Sequence, residues 1–222
     1  MLARRIRLRR AAEPEVRETF ELTGSLDEIR ERFGVVRVEA DYESRDRLEP
    51  TDPVPIVVGR RRERKLVDAR WGLFPFWAKD AVHADLHRLP VKPTFDRLIR
   101  RQRCVVPGTA LVTFAADGRF LRIVRLMPRE GGVFGMAGLY EEFVSASGRL
   151  HRAFTIVTAG RRGLPGAERN CMPLLLGEDE ADRWLDPGWN ADGVPPVSFR
   201  LPDDETWIAQ TLVRRLEHEA PD

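Results

Sequence analysis

Cysteine is scarce in this chain of 222 residues: there are two, Cys104 and Cys171. Two thiols cannot build the disulfide framework of a small secreted domain. No C-x-x-C pair and no H-E-x-x-H motif occurs, so the strong zinc signatures are missing. No apolar run approaches the ~18 residues that a membrane-spanning helix needs. The opening MLARRIRLRR is basic but lacks the apolar core of a secretory signal. The chain therefore reads as cytoplasmic. Internal repeats and low-complexity tracts are absent as well, and no motif calls for a cofactor, so none is expected.

Lysine is nearly missing too. Three lysines stand among 37 basic residues, and 35 acidic residues bring the formal net charge down to +2. Net charge alone does not announce a nucleic-acid binder. The arginines do cluster, at Arg4–Arg10, around Arg60–Lys65 and at Arg97–Arg103. Such clusters can meet phosphates, although solvated faces are the commoner explanation.

What is present is a pattern of short strands. Residues 1–16 read as an extension and 17–222 as one domain. Ser25-x-x-Glu28 is a capping box, and Leu26, Ile29 and Phe33 follow on one face before Gly34 stops the turn, which predicts a short helix. VPIVVGR reads as a strand, and RRERKLVDARWGL as its hairpin partner, running into the aromatic loop WGLFPFWAKD. PTFDRLIRRQRC places Phe95, Leu98 and Ile99 at helical spacing. CVVP, ALVTFA, RFLRIVRLM, GVFGMAGLYEEFV and RAFTIVTA read as strands, and GEDEADRWLDPG as a third helix that ends at Pro187. Strands that mostly follow one another directly predict an α+β single domain. Its core is a mainly antiparallel sheet or barrel, with a few short peripheral helices.

His83 and His87 are four apart and could share a helix face. Pro90 and Pro93 make that stretch a poor helix, however, and no third ligand is in sight, so no metal site is expected. Cys171 lies two residues from Arg169, whose guanidinium could lower a thiol pKa. Cys104, between Arg103 and Val105, reads as a small buried hydrophobe.

The order of segments resembles the SOS response-associated peptidase (SRAP) family. FELTGSLDEIRERFG is similar to the family's opening, and EPTDPVPIVV to its Ala-Pro-Thr strand start. RWGLFPFWAKD is close to its Arg-Trp-Gly-Leu-x-Pro-x-Trp loop. KPTFDRLIRRQRCVVP is similar to its Lys-Pro-x-Phe…Arg-Cys-x-x-Pro segment, FGMAGLYE to its Ala-Gly-Leu-Trp strand, and CMPLLL…WLDP to its closing block. Together these segments span nearly all of residues 17–200.

The resemblance implies a chemistry. Family members sense abasic sites in single-stranded DNA. An N-terminal Cys, exposed by loss of the initiator Met, condenses through its amine and thiol with the sugar aldehyde. Water is lost and a thiazolidine forms, while Asn, Glu and His residues position the sugar and move protons. Carried over by position, the nucleophile falls on Arg17, which has no thiol and whose nitrogen lies inside a peptide bond behind residues 1–16. Met1-Leu2 does not rescue it, because a bulky second residue disfavours Met removal. The Asn position is His83, an Arg position is Asp85, a Glu position is His87, the proton-transfer Glu is Thr113, the His is Arg169, and another Arg is Cys171. Arg-to-Asp exchange at Asp85 turns attraction for a phosphate into repulsion. Frame positions such as Phe20, Trp71, Gly72, Pro75, Pro93 and Pro173 survive.

The expectation is therefore a SRAP frame without catalytic residues. Any surviving contacts to single-stranded DNA would fall on Arg47, Pro50, Trp71, Trp77 and Arg169. The two tryptophans would otherwise pack in the core. The alternative is a module that binds a protein partner and has no role on DNA. A membrane partner is not expected.

Overall fold

The structure is a computed structural model that describes residues 17–59, 62–75, 81–117, 120–160, 171–186, 188 and 206–215. The described strands are β1 (Arg17–Leu22), β2 (Arg37–Val38), β3 (Arg45–Leu48), β4 (Pro53–Val58), β5 (Lys65–Trp71), β6 (His83–Asp85) and β7 (Arg103–Gly108). They continue with β8 (Ala110–Asp117), β9 (Phe120–Pro128), β10 (Phe134–Val144), β11 (Leu150–Gly160), β12 (Cys171–Pro173), β13 (Leu175–Leu176) and β14 (Trp207–Arg215). The helices are α1 (Leu26–Phe33), α2 (Pro93–Arg101) and α3 (Glu178–Leu185), with a 3-10 turn at Leu86–Arg88.

Five strands close into a barrel in the order β4, β5, β11, β10, β7 and back to β4. Every neighbouring pair is antiparallel except β5 and β11, which meet in parallel at Trp71 opposite Phe154. That seam abolishes the sheet edges that two open strands would present. A second sheet runs β14, β9, β8, β1, β3 and packs against the barrel. Phe20 of β1 meets Trp71 with ring centroids 5.1 Å apart, and Phe134 meets Trp207 at 4.9 Å, so aromatic pairs tie the two sheets together. The α+β expectation with an antiparallel barrel core is what the molecule adopts.

Local chemistry accounts for the helices. Ser25 Oγ accepts from Glu28 N (3.2 Å), and Glu28 Oε2 accepts from Ser25 N (2.6 Å). Gly34 at φ 60° then ends α1 in the left-handed region that glycine adopts without strain. Pro93 opens α2, where its missing N–H costs nothing, and Phe95, Leu98 and Ile99 face inward. Two buried arginines finish the helix ends. Arg103 donates to the carbonyls of Ile99, Trp184 and Asp186, capping α2 and α3 together. Arg64 donates to Phe33 O at the end of α1 (2.7 Å) and to Asp182 Oδ1 on α3 (2.5 Å). Cations at helix C-termini complement the exposed carbonyl dipoles.

The barrel is packed tightly enough to exclude a methyl group at one point. A Cβ on Gly138 would stand 2.7 Å from Cys104 Sγ. Cys104 is fully buried, as its sequence neighbours implied, and burial pushes its thiol pKa well up.

Pro90 and Pro93 mark the stretch after His83 as a poor helix, and residues 83–92 form no α-helix. His83 and His87 do not share a helix face. His83 lies in strand β6, hydrogen-bonded alongside β11, and His87 sits exposed on the 3-10 turn. Pairing with β11 fixes extended backbone at 83–85, and Asp85 then accepts from His87 N (2.8 Å) to start the turn. Strands β3, β6, β12 and β14 carried no sequence signal strong enough to anticipate them.

Candidate functional site

Where the two sheets face each other, a small cavity of about 30 Å³ opens beside Trp71. Three barrel strands wall it, together with β6 alongside them. Trp71 comes from β5, His83 from β6, and Met136 and Ile156 from β10 and β11. The facing wall is Thr19 and Phe20 of β1, Leu111 to Thr113 of β8, and Leu126 of β9. Met172 and Pro173 of β12 complete it.

The register explains why these distant residues meet. His83 is opposite Ile156 in the parallel β6–β11 pair, and Thr19 is opposite Val112 in the antiparallel β1–β8 pair. The site is thus assembled from residues about 150 positions apart, by strand pairing alone.

Trp71 anchors the site. It is 1% exposed, with the rings of Phe20 and Phe154 packed nearby, the latter stacked at 6.3 Å. Its Nε1 donates to Val82 O (3.1 Å), and the adjacent His83 meets it edge-on at 5.9 Å. In this arrangement the indole offers no free face for a base to stack on. Burial of the His83 ring holds its pKa down to about 4, so the imidazole is neutral near pH 7.

Among the described residues lining the cavity, none carries a carboxylate, a thiol or a permanent positive charge. Its polar groups are the hydroxyls of Thr19 and Thr113 and the neutral imidazole of His83. Thr113 is half-buried on β8.

The other candidate positions are dispersed. Arg17 pairs with Phe114 inside the β1–β8 ladder, so its backbone belongs to the sheet. His87 is exposed on its turn, outside the cavity lining. Arg47 and Pro50 are exposed on and just after β3. Arg47 is turned to its own neighbours: its Nε donates to Glu49 Oε1 (2.8 Å), and its guanidinium lies 5.4 Å from the Phe114 ring centroid. Cys171 begins β12, paired with Gly160. Trp77, Arg169 and residues 1–16 lie outside the described residues. Among the described residues there is no group of three or more His, Cys, Asp or Glu placed to hold a metal ion. No described helix is long and apolar enough to cross a membrane.

Leu126 and Met136 were not among the sequence candidates, whereas Thr19 falls on a position where the family resemblance implies an Arg. Leu126 and Met136 had no sequence signal, since only the strand register brings them in.

Comparison with known proteins agrees with this frame. The profile of the SOS response associated peptidase (SRAP) family matches residues 18–209. The chain belongs to the SRAP family. The abasic site processing protein YoqW of Bacillus subtilis is 26% identical over 216 residues, covering 91% of this chain and 96% of YoqW. YobE of the same organism, also an abasic site processing protein, is 27% identical over 211 residues, covering 89% and 96%. A crystal structure of a protein from Bacteroides thetaiotaomicron superposes with a TM-score of 0.72 at 21% identity, covering 87% of this SRAP chain and 91% of that one. One from Bordetella bronchiseptica gives 0.69 at 18% identity, covering 88% and 99%. The structural likeness speaks for the fold.

Proposed function

We propose that this chain is a catalytically degenerate SRAP protein. It keeps the frame of proteins that process abasic sites in DNA but forms no thiazolidine with them. The observation that carries the reading is the cavity. Two of the positions the family resemblance assigns to chemistry, His83 and Thr113, line it beside the frame residues Met172 and Pro173. The side chains present can accept or donate a hydrogen bond, but they include no thiol, amine or carboxylate. At Arg17 the reaction lacks both of its groups, since the residue has no thiol and its nitrogen is an amide within β1. An amide nitrogen does not condense with an aldehyde under the conditions where an amine does.

What survives on this reading is weak, salt-dependent binding to single-stranded DNA in the cytoplasm, with Arg47 and Pro50, and with Trp77 and Arg169 beyond the described residues, as its contacts. A second reading is favoured by the uncharged cavity lining: the frame binds a protein partner and has no role on DNA. The two separate in a salt titration of binding to undamaged single strands. Affinity that falls steeply with salt supports the first, and no binding at low salt supports the second. Loss of chemistry itself is tested by incubation with abasic single-stranded DNA followed by denaturing electrophoresis. A heat-stable shifted band, blocked by prior thiol alkylation, would overturn it.

A further inference from the structure

The outer strand of the second sheet is built as a pairing edge. Strand β14 holds β9 through nine consecutive register pairs, from Trp207 opposite Pro128 to Arg215 opposite Phe120, without a bulge. It ends its sheet, and no other described strand pairs with it.

The direction of its free backbone groups follows from two observations. Arg129 N donates to Thr206 O (2.8 Å), so Thr206 turns its polar groups toward β9. Its neighbour Trp207 is opposite Pro128, which has no N–H to give, as a position without ladder bonds requires. In an antiparallel strand the two kinds of position alternate. Trp207, Ala209, Thr211, Val213 and Arg215 therefore direct N–H and C=O away from β9.

Exposed edges are ordinarily blunted by charge, proline or a bulge. From Trp207 to Val213 there is none: the run is WIAQTLV. Its side chains from Ala209 onward are exposed, Leu212 at 49% and Val213 at 55%.

We propose that β14 pairs antiparallel with β14 of a second copy of this chain, about a two-fold axis at Thr211. The register that overlaps the whole strand is centred on Thr211, and it matches every outward residue with an outward residue. Thr211 meets its own copy, Ala209 meets Val213, and Trp207 meets Arg215, so the free N–H and C=O groups satisfy one another. Charge selects this direction. Antiparallel pairing sets Arg214 and Arg215 opposite the second copy's Ile208 and Trp207, at opposite ends of the strand. Parallel pairing would stack the arginines of the two chains on each other. The result is a continuous ten-stranded sheet across two chains, an isologous contact that closes on itself.

The test is sedimentation equilibrium on the full chain over about 1–500 µM, the span in which an interface below standard size associates. A monomer–dimer equilibrium is expected. Thr211→Pro removes the N–H at the axis without touching a β9 bond. Thr211→Lys leaves the backbone intact and sets two ammonium groups face to face. Each is expected to weaken the dimer by at least about tenfold, the weight of a lost hydrogen-bond pair. A wild-type chain that stays monomeric throughout overturns the proposal, as does a dimer that neither substitution weakens.

Discussion

Trp71 and His83 meet edge to face, with ring centroids 5.9 Å apart and planes at 88°, where the closing seam of the barrel borders the cavity. The contact decides what His83 can do. An imidazole packed there and taken out of water is neutral near pH 7, so it can exchange hydrogen bonds but carries no charge. The pairing of β6 with β11 holds it there, with Ile156 N donating to Val82 O (3.2 Å).

This arrangement links stability to pH. His83 titrates near pH 4 in the folded chain and near its ordinary value of 6.5 when unfolded. Between those values the unfolded state binds the extra proton, so stability rises with pH across the window and falls as pH drops from 6.5 toward 4. The contribution present above pH 6.5 is at most about 3 kcal/mol, taking 1.36 kcal/mol per pKa unit. Urea midpoints measured from pH 4 to 7 are expected to climb, and His83→Gln is expected to flatten that part of the climb. An NMR titration placing His83 near 6.5 contradicts the account.

Arg103 offers a test of the frame. Its buried guanidinium serves three carbonyls at the ends of two helices, and Trp184 Nε1 returns a bond to Cys104 O (2.9 Å). Arg103→Met is expected to lower stability by roughly 3 kcal/mol, because the carbonyls lose a charged donor and stay buried. An unchanged denaturant midpoint would show that the helix ends find other donors.

Thr155 points the other way. It is fully buried on β11, and its hydroxyl meets no hydrogen-bonding partner among the described residues. Thr155→Val keeps the shape and removes the stranded polar atom, so thermal unfolding is expected to show a gain of about 1 kcal/mol. A loss of stability would mean that the hydroxyl is satisfied in solution.

The sequence was most legible where structure is local. Ser25, Glu28 and Gly34 announce α1 because cap, box and stop all lie within ten residues. Phe95, Leu98 and Ile99 announce α2 by their spacing. Strand β14 was not legible because most of its side chains face water on both sides, and no alternation marks a buried face. The cavity was legible only through the family resemblance. Thr19, His83, Thr113 and Met172 converge by strand register between segments far apart in the chain, and register is not written in any short stretch. Trp71 shows the limit of motif reading: the same residue could pack or stack, and the rings of Phe20 and Phe154 around it decide for packing.

The claim at the centre is that the frame persists without the reaction. The most direct measurement is the intact mass of the full chain after incubation with an excess of a single-stranded oligonucleotide bearing one abasic site. The account expects the mass of the unmodified chain, with no adduct surviving denaturation. A product equal to protein plus oligonucleotide less one water, formed without added reductant, would contradict it.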